Sequence, residues 1–139
     1  MPPFVLLNYA VGPLWSRRND AKAVAGAGGD HFDWMFQYDN TLKTWATAPI
    51  VSLRGEVSLD ARRLPDHRLE YLEIEGDIGN DRGSVSQVIR GDYQLAEFTD
   101  ETFRATLCWR DCEQVAHQLS LELYRSADDF WRLCLSECR

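Results

Sequence analysis

Long apolar runs are missing from this 139-residue chain: none approaches the roughly 18 residues that a membrane span requires, which excludes a helical span. Positive charge is scarce as well. The 15 Lys and Arg stand against 22 Asp and Glu, a net charge of -7, the wrong sign for a protein that holds a nucleic-acid duplex by general phosphate attraction. Any phosphate contact has to be a local pocket. The signatures of the common enzyme classes are absent too, with no G-x4-G-K-[ST], G-x-S-x-G, H-E-x-x-H or C-x2-C anywhere. Met1-Pro2-Pro3-Phe4-Val5-Leu6-Leu7 has no basic segment and too brief an apolar stretch for a secretory signal, so the expected location is the cytoplasm.

Cysteine is confined to the last third of the chain, as Cys108, Cys112, Cys134 and Cys138. Two C-x3-C pairs suit either a metal site or two strands lying side by side. In a reducing cytoplasm free thiols are favoured over a four-thiolate zinc site, whose spacing is usually C-x2-C. An apolar fraction of 45% with 27% charged residues is that of a globular protein. The length accommodates one domain over 1–139.

Most of the chain reads in period two. Phe4 to Tyr9 is a short apolar strand. From His31 to Tyr38 the alternation places His31, Asp33, Met35 and Gln37 on one face and Phe32, Trp34, Phe36 and Tyr38 on the other. The aromatic face belongs in the core, leaving His31, Asp33 and Met35 toward a concave surface. Asp39-Asn40-Thr41 is a turn, and Leu42 to Ala46 its hairpin partner. Further strands follow over Leu69–Ile74, Ser84–Arg90, Phe103–Trp109, Val115–Arg125 and Phe130–Leu135. Two segments depart from the pattern. Ala10 to Asp30 reads as a loop with a short helix over Asp20–Ala25, and Asp60 to Leu64 as one helical turn before Pro65. At least seven short strands predict an all-β fold, a small closed or nearly closed antiparallel β-barrel with few helical turns.

His31-x-Asp33 is the sharpest local feature. Residues two apart on a strand point the same way about 7 Å apart and can converge on one cation; the same dipeptide also suits the solvated face of an amphipathic strand. His67 and Tyr71 in Asp66-His67-Arg68-Leu69-Glu70-Tyr71 share parity on a strand. An imidazole can donate to a phosphoryl oxygen or protonate a leaving group, and a phenol can give a second hydrogen bond. A strand-entrance histidine and a packing tyrosine are the plainer alternative. Arg62 and Arg63 can supply guanidinium groups to a phosphate, or simply be solvated. Glu75 to Val85 is a Gly-punctuated connector.

In order, Phe4-Val5-Leu6-Leu7-Asn8-Tyr9, His31-Phe32-Asp33, Leu42-Lys43-Thr44-Trp45-Ala46, Asp66-His67-Arg68-Leu69-Glu70-Tyr71, Glu75-Gly76-Asp77-Ile78 and Gly91-Asp92-Tyr93 resemble the motifs of the 3′-phosphoesterase domain of bacterial ligase D proteins. The likeness is close over roughly residues 4–93 and a matter of pattern beyond. It implies a small β-barrel that uses a divalent metal, typically manganese, to trim 3′ ends of DNA or RNA–DNA primers, removing a terminal ribonucleoside and then the 3′-phosphate. Carried over, it implies His31, Asp33 and Tyr9 at the metal, His67 and Tyr71 as catalytic groups, and Arg62, Arg63 and Lys43 at the phosphate. Tyr9 stands where the family has a metal-binding histidine, Met35 where it has an arginine and Gln37 where it has an acidic residue. Two functions follow as expectations. One is manganese-dependent processing of 3′-phosphate or 3′-ribonucleotide ends in DNA repair. The other is a catalytically degenerate module that binds a nucleic-acid end or a repair protein, such as a ligase or polymerase partner. Neither involves a membrane.

Overall fold

The computed structural model of the chain describes residues 1–11, 31–50, 56–73, 76–77, 83–128 and 130–138. Among them nine strands run in chain order: β1 (Pro3–Val11), β2 (His31–Tyr38), β3 (Thr41–Thr47), β4 (Val57–His67), β5 (Gly76–Asp77), β6 (Gly83–Phe98), β7 (Thr102–Arg110), β8 (Ala116–Ala127) and β9 (Phe130–Glu137). The ladder order is β1-β2-β3-β4-β9-β8-β7-β6, and β6 returns to pair with β1. Eight antiparallel strands thus form a ring, with β5 added outside it on β6. The expected all-β fold is what forms. No helix among the described residues is long and apolar enough to cross a membrane.

Alternation decides what fills the ring. Phe32, Trp34 and Phe36 point inward from β2 and meet Phe4, Trp45, Tyr93, Phe103, Leu121 and Leu133 in one buried cluster. Phe36 is its hub, with ring centroids 4.6 Å from Phe103, 5.4 Å from Tyr93 and 6.0 Å from Trp45. Tyr38, at the strand end, is half-exposed and meets Phe98 edge-on. The Trp34 indole donates to the Thr47 hydroxyl at 3.0 Å, so its buried N–H is satisfied.

The β2–β3 hairpin forms as expected, its two-residue loop helped by Asp39 at φ 55, a positive value of the kind primed hairpin turns use and aspartate tolerates. Three expectations fail. Asp60–Leu64 is no helical turn but the middle of β4, because β3 and β9 offer ladder partners on both edges, Ala46 to Arg62 on one and Asp60 to Arg132 on the other. Val57-Ser58-Leu59-Asp60-Ala61 carries the alternation that marks the strand. Leu69–Ile74 is not a strand. Leu69–Leu72 is a 3₁₀ turn closed by Tyr71 N–H to Arg68 C=O at 3.1 Å and Glu73 N–H to Glu70 C=O at 3.0 Å, and Ile74 lies outside the described residues. β4 keeps β3 as its ladder partner up to His67, where it ends, and the next segment turns onto the sheet and packs Leu72 against it. Nor do the two cysteine-bearing strands lie side by side: Cys108 on β7 and Cys134 on β9 are separated by β8. The four cysteines are unpaired thiols. The helix expected over Asp20–Ala25 lies outside the described residues, as does all of the Ala10–Asp30 loop except Ala10 and Val11, which extend β1.

Two positions in the ring carry special backbone demands. Pro65 sits where β4 has one residue more than β3, between the pairs Thr44–Leu64 and Leu42–His67, a bulge where a missing N–H is tolerated. Gly91 pairs with Phe4 on one edge and Trp109 on the other, where β6 passes from β1 to β7. A Cβ there would lie 2.1 Å from the Cys108 carbonyl oxygen and 2.8 Å from the Trp109 Cβ. Backbone cannot yield as a side-chain tip can. Gly91→Ala is therefore expected to cost about 1–3 kcal/mol or more, read as a lower urea midpoint at unchanged slope; an unshifted midpoint would show that this corner has room.

Candidate functional site

The outer face of β1–β2–β3 is not open to solvent. Val5, Leu7, Met35 and Leu42 point outward and are buried with Leu72 of the 3₁₀ turn and Val85 of β6; Tyr9, Leu69 and Tyr71 pack at the margin. Met35, expected on a concave polar surface, is 1% exposed within this cluster. It offers neither a phosphate clamp nor space for one, because Leu72 folds onto the face that alternation alone leaves uncovered.

The turn carrying Leu72 is latched to β6. The Leu72 carbonyl accepts hydrogen bonds from Gln87 Nε2 at 2.8 Å and Arg90 Nη1 at 3.0 Å, and Arg90 also meets Glu73 at 2.8 Å. Glutamine and arginine on an outer strand face give no sequence signal for this role, since their partner is a backbone carbonyl 15 and 18 residues away.

His31 and Asp33 share this outer face. His31 is directly opposite Tyr9, and Asp33 is flanked by Leu7 and Ala46. The His31 and Asp33 side chains are 12% and 5% exposed, with Nδ1 2.7 Å from Oδ1. The alignment is nevertheless too poor for a hydrogen bond, and neither atom has another partner among the described residues. Each such buried polar atom costs about 1–3 kcal/mol if left unsatisfied. The two atoms form an ion pair when the imidazole is protonated; with the imidazole neutral, a nitrogen and a carboxylate oxygen side by side without a hydrogen bond suit the donor preferences of a divalent transition-metal ion. The Tyr9 ring lies parallel to the imidazole, 4° from coplanar orientation with centroids 4.9 Å apart. Among the described residues no three His, Cys, Asp or Glu side chains gather as a metal cluster.

His67 and Tyr71 do meet, though by a different route from shared strand parity. One ends β4 and the other lies in the 3₁₀ turn, with rings edge-to-face at 5.2 Å. His67 Nδ1 lies 2.8 Å from the Pro65 carbonyl. A carbonyl only accepts, so Nδ1 carries the proton and Nε2 is left for proton exchange.

The basic residues divide. Lys43 and Arg63 belong to the other side of the sheet, at the end of the ring. Lys43 Nζ is 2.7 Å from Asp66 Oδ2, Arg63 Nη2 is 3.7 Å from Oδ1, and the Thr41 hydroxyl reaches Oδ2 at 3.3 Å. The Arg63 guanidinium lies 4.5 Å from the Trp45 ring centre and 6.0 Å from those of Phe98 and Trp131, a cation–π arrangement. Arg62, paired with Ala46, faces outward and has interactions of its own. Asp66 was legible only as part of a motif; its place between two cations arises because the Pro65 bulge turns it toward Lys43.

Burial among the rings lowers the Arg63 pKa, with Asp66 and Asp100 opposing. Burial pushes the Asp66 carboxyl up, but Lys43, Arg63 and Thr41 outweigh it and hold it below its ordinary value of 3.8. A depressed carboxyl contributes stability that is present above the unfolded value and lost as pH falls through the folded one. Wild type should therefore be more stable than Asp66→Asn at neutral pH, and the gap should close only as pH falls below 3.8. Urea titrations at several pH values check this, and a gap independent of pH would refute it.

No protein-family model matches the chain, and no curated protein matches it either.

Proposed function

We propose that this chain is a divergent 3′-phosphoesterase of the ligase D kind, in which His31 and Asp33 hold a divalent cation, manganese by donor type, and 3′-phosphate or 3′-ribonucleotide ends are processed. The observation that carries this reading is the buried His31–Asp33 pair, whose Nδ1 and Oδ1 lie 2.7 Å apart without a hydrogen bond. A divalent cation bound there would supply Lewis acidity toward a phosphoryl oxygen. Asp33 contributes the anionic donor and His31 the neutral one. His67, its Nδ1 proton engaged by Pro65, exchanges a proton with substrate or leaving group through Nε2. Tyr71, edge-on to His67, would offer its hydroxyl to a phosphate that reaches His67, which stands on the ladder row of Leu42 and Gln37, four residues along β2 from Asp33. The DNA or RNA–DNA end is held locally, as the net charge of -7 demands.

A second reading is favoured by two specific observations. Met35 is buried where an arginine clamp is expected, and Lys43 and Arg63 are engaged by Asp66. A domain that binds a nucleic-acid end or a repair protein without turnover accommodates both.

Phosphate release from a 3′-phosphorylated oligonucleotide, with and without manganese, separates the two. The catalytic reading expects manganese-dependent release, abolished in Asp33→Asn together with metal binding. His67→Ala should keep the metal and lose roughly 10²-fold or more in rate. A folded, manganese-loaded wild type that releases nothing, yet retains the oligonucleotide, establishes the binding module instead.

A further inference from the structure

We infer that Tyr9 is a positioning residue for His31 and that its phenol oxygen is not a cation ligand, an inference that rests on the cation reading of the His31–Asp33 pair. Tyr9 and His31 are direct cross-strand partners on β1 and β2, and their rings are parallel, 4° apart in orientation with centroids separated by 4.9 Å. A cation bound to an imidazole nitrogen lies close to the imidazole plane, at about 2.0–2.1 Å from the nitrogen for zinc. The phenol oxygen lies in the plane of its own ring. Parallel rings in contact are separated by about 3.5 Å or more, the ordinary distance between non-bonded carbons. An oxygen in the second plane is therefore too far from an ion in the first to ligate it.

What the stacked ring does is hold the imidazole. It covers one face of His31, excludes water from it, and restricts rotation about the bond that would swing Nδ1 away from Asp33 Oδ1 at 2.7 Å. Tyr9 is itself held, packed at the margin of the outer cluster beside Val85. Among the described residues the cation then has two side-chain donors, one imidazole and one carboxylate.

The test uses the full chain and manganese alone, with free ion counted by electron paramagnetic resonance, in Tyr9→Phe and Tyr9→Leu. Tyr9→Phe should bind within about twofold of wild type, and Tyr9→Leu about tenfold or more weakly, the range seen when the support of a ligating histidine is removed. A second measurement needs no metal: the His31 ring protons should show a ring-current shift in the nuclear magnetic resonance spectrum that survives Tyr9→Phe and disappears in Tyr9→Leu. Loss of affinity in Tyr9→Phe with the ring-current shift intact would make the phenol a ligand and overturn the inference. If wild type binds no manganese, the cation reading falls, and the spectrum alone decides positioning. A shift kept in Tyr9→Phe and lost in Tyr9→Leu sustains it; a shift unchanged in Tyr9→Leu refutes it.

Discussion

Burial of both faces of the β1–β2 pair is the constraint on which the remaining structure depends. Four consecutive residues of β1, Phe4 to Leu7, have no exposed surface, and five consecutive residues of β2, Phe32 to Phe36, are buried. A hairpin by itself can cover only one face of such strands. Ring closure through β6 buries Phe4, Leu6, Trp34 and Phe36 on the inside, and the 3₁₀ turn from Leu69 to Leu72 helps to cover Val5, Leu7 and Met35 outside. A slip of one residue would send Asp33 among the aromatic rings and Trp34 outward, so both covers enforce one register.

The opposite half of the ring obeys the ordinary rule. On β7, β8 and β9 the inward positions Phe103, Leu107, Leu121, Leu123, Trp131 and Leu133 are buried, while Arg104, Glu122, Gln118 and Arg132 lie outward among polar neighbours. This contrast explains where unusual chemistry collects. A carboxylate on the outer face of β8, such as Glu122, is exposed, whereas Asp33 on the outer face of β2 is buried.

The same closure sorts the cations of an acidic protein. Lys43 and Arg63 converge on Asp66 at the end of the ring, with Arg63 against Trp45, so charge that sequence order places near His67 is directed to the other side of the sheet. His67 and Tyr71 remain with the outer face. The Pro65 bulge, by inserting one residue between Leu64 and His67, separates these two sets.

Much of this was legible in the chain itself. Alternation over His31–Tyr38 assigns Phe32, Trp34 and Phe36 to the interior and His31 with Asp33 to the other side, and the Asp39–Asn40 turn joins β2 to β3, because a two-residue period and a tight turn are local properties of backbone geometry. The all-β class follows from the same repetition. Covering and pairing are not local. Asp60–Leu64 became strand because β3 and β9 supply its ladders, and Leu69–Leu72 is a turn whose Leu72 carbonyl is held by Gln87 and Arg90 of β6. Met35 was sealed by a residue 37 positions later in the chain, Leu72. Periodicity says which side chains face together, and only the closed sheet determines what lies against them, because that surface is assembled from segments distant in sequence.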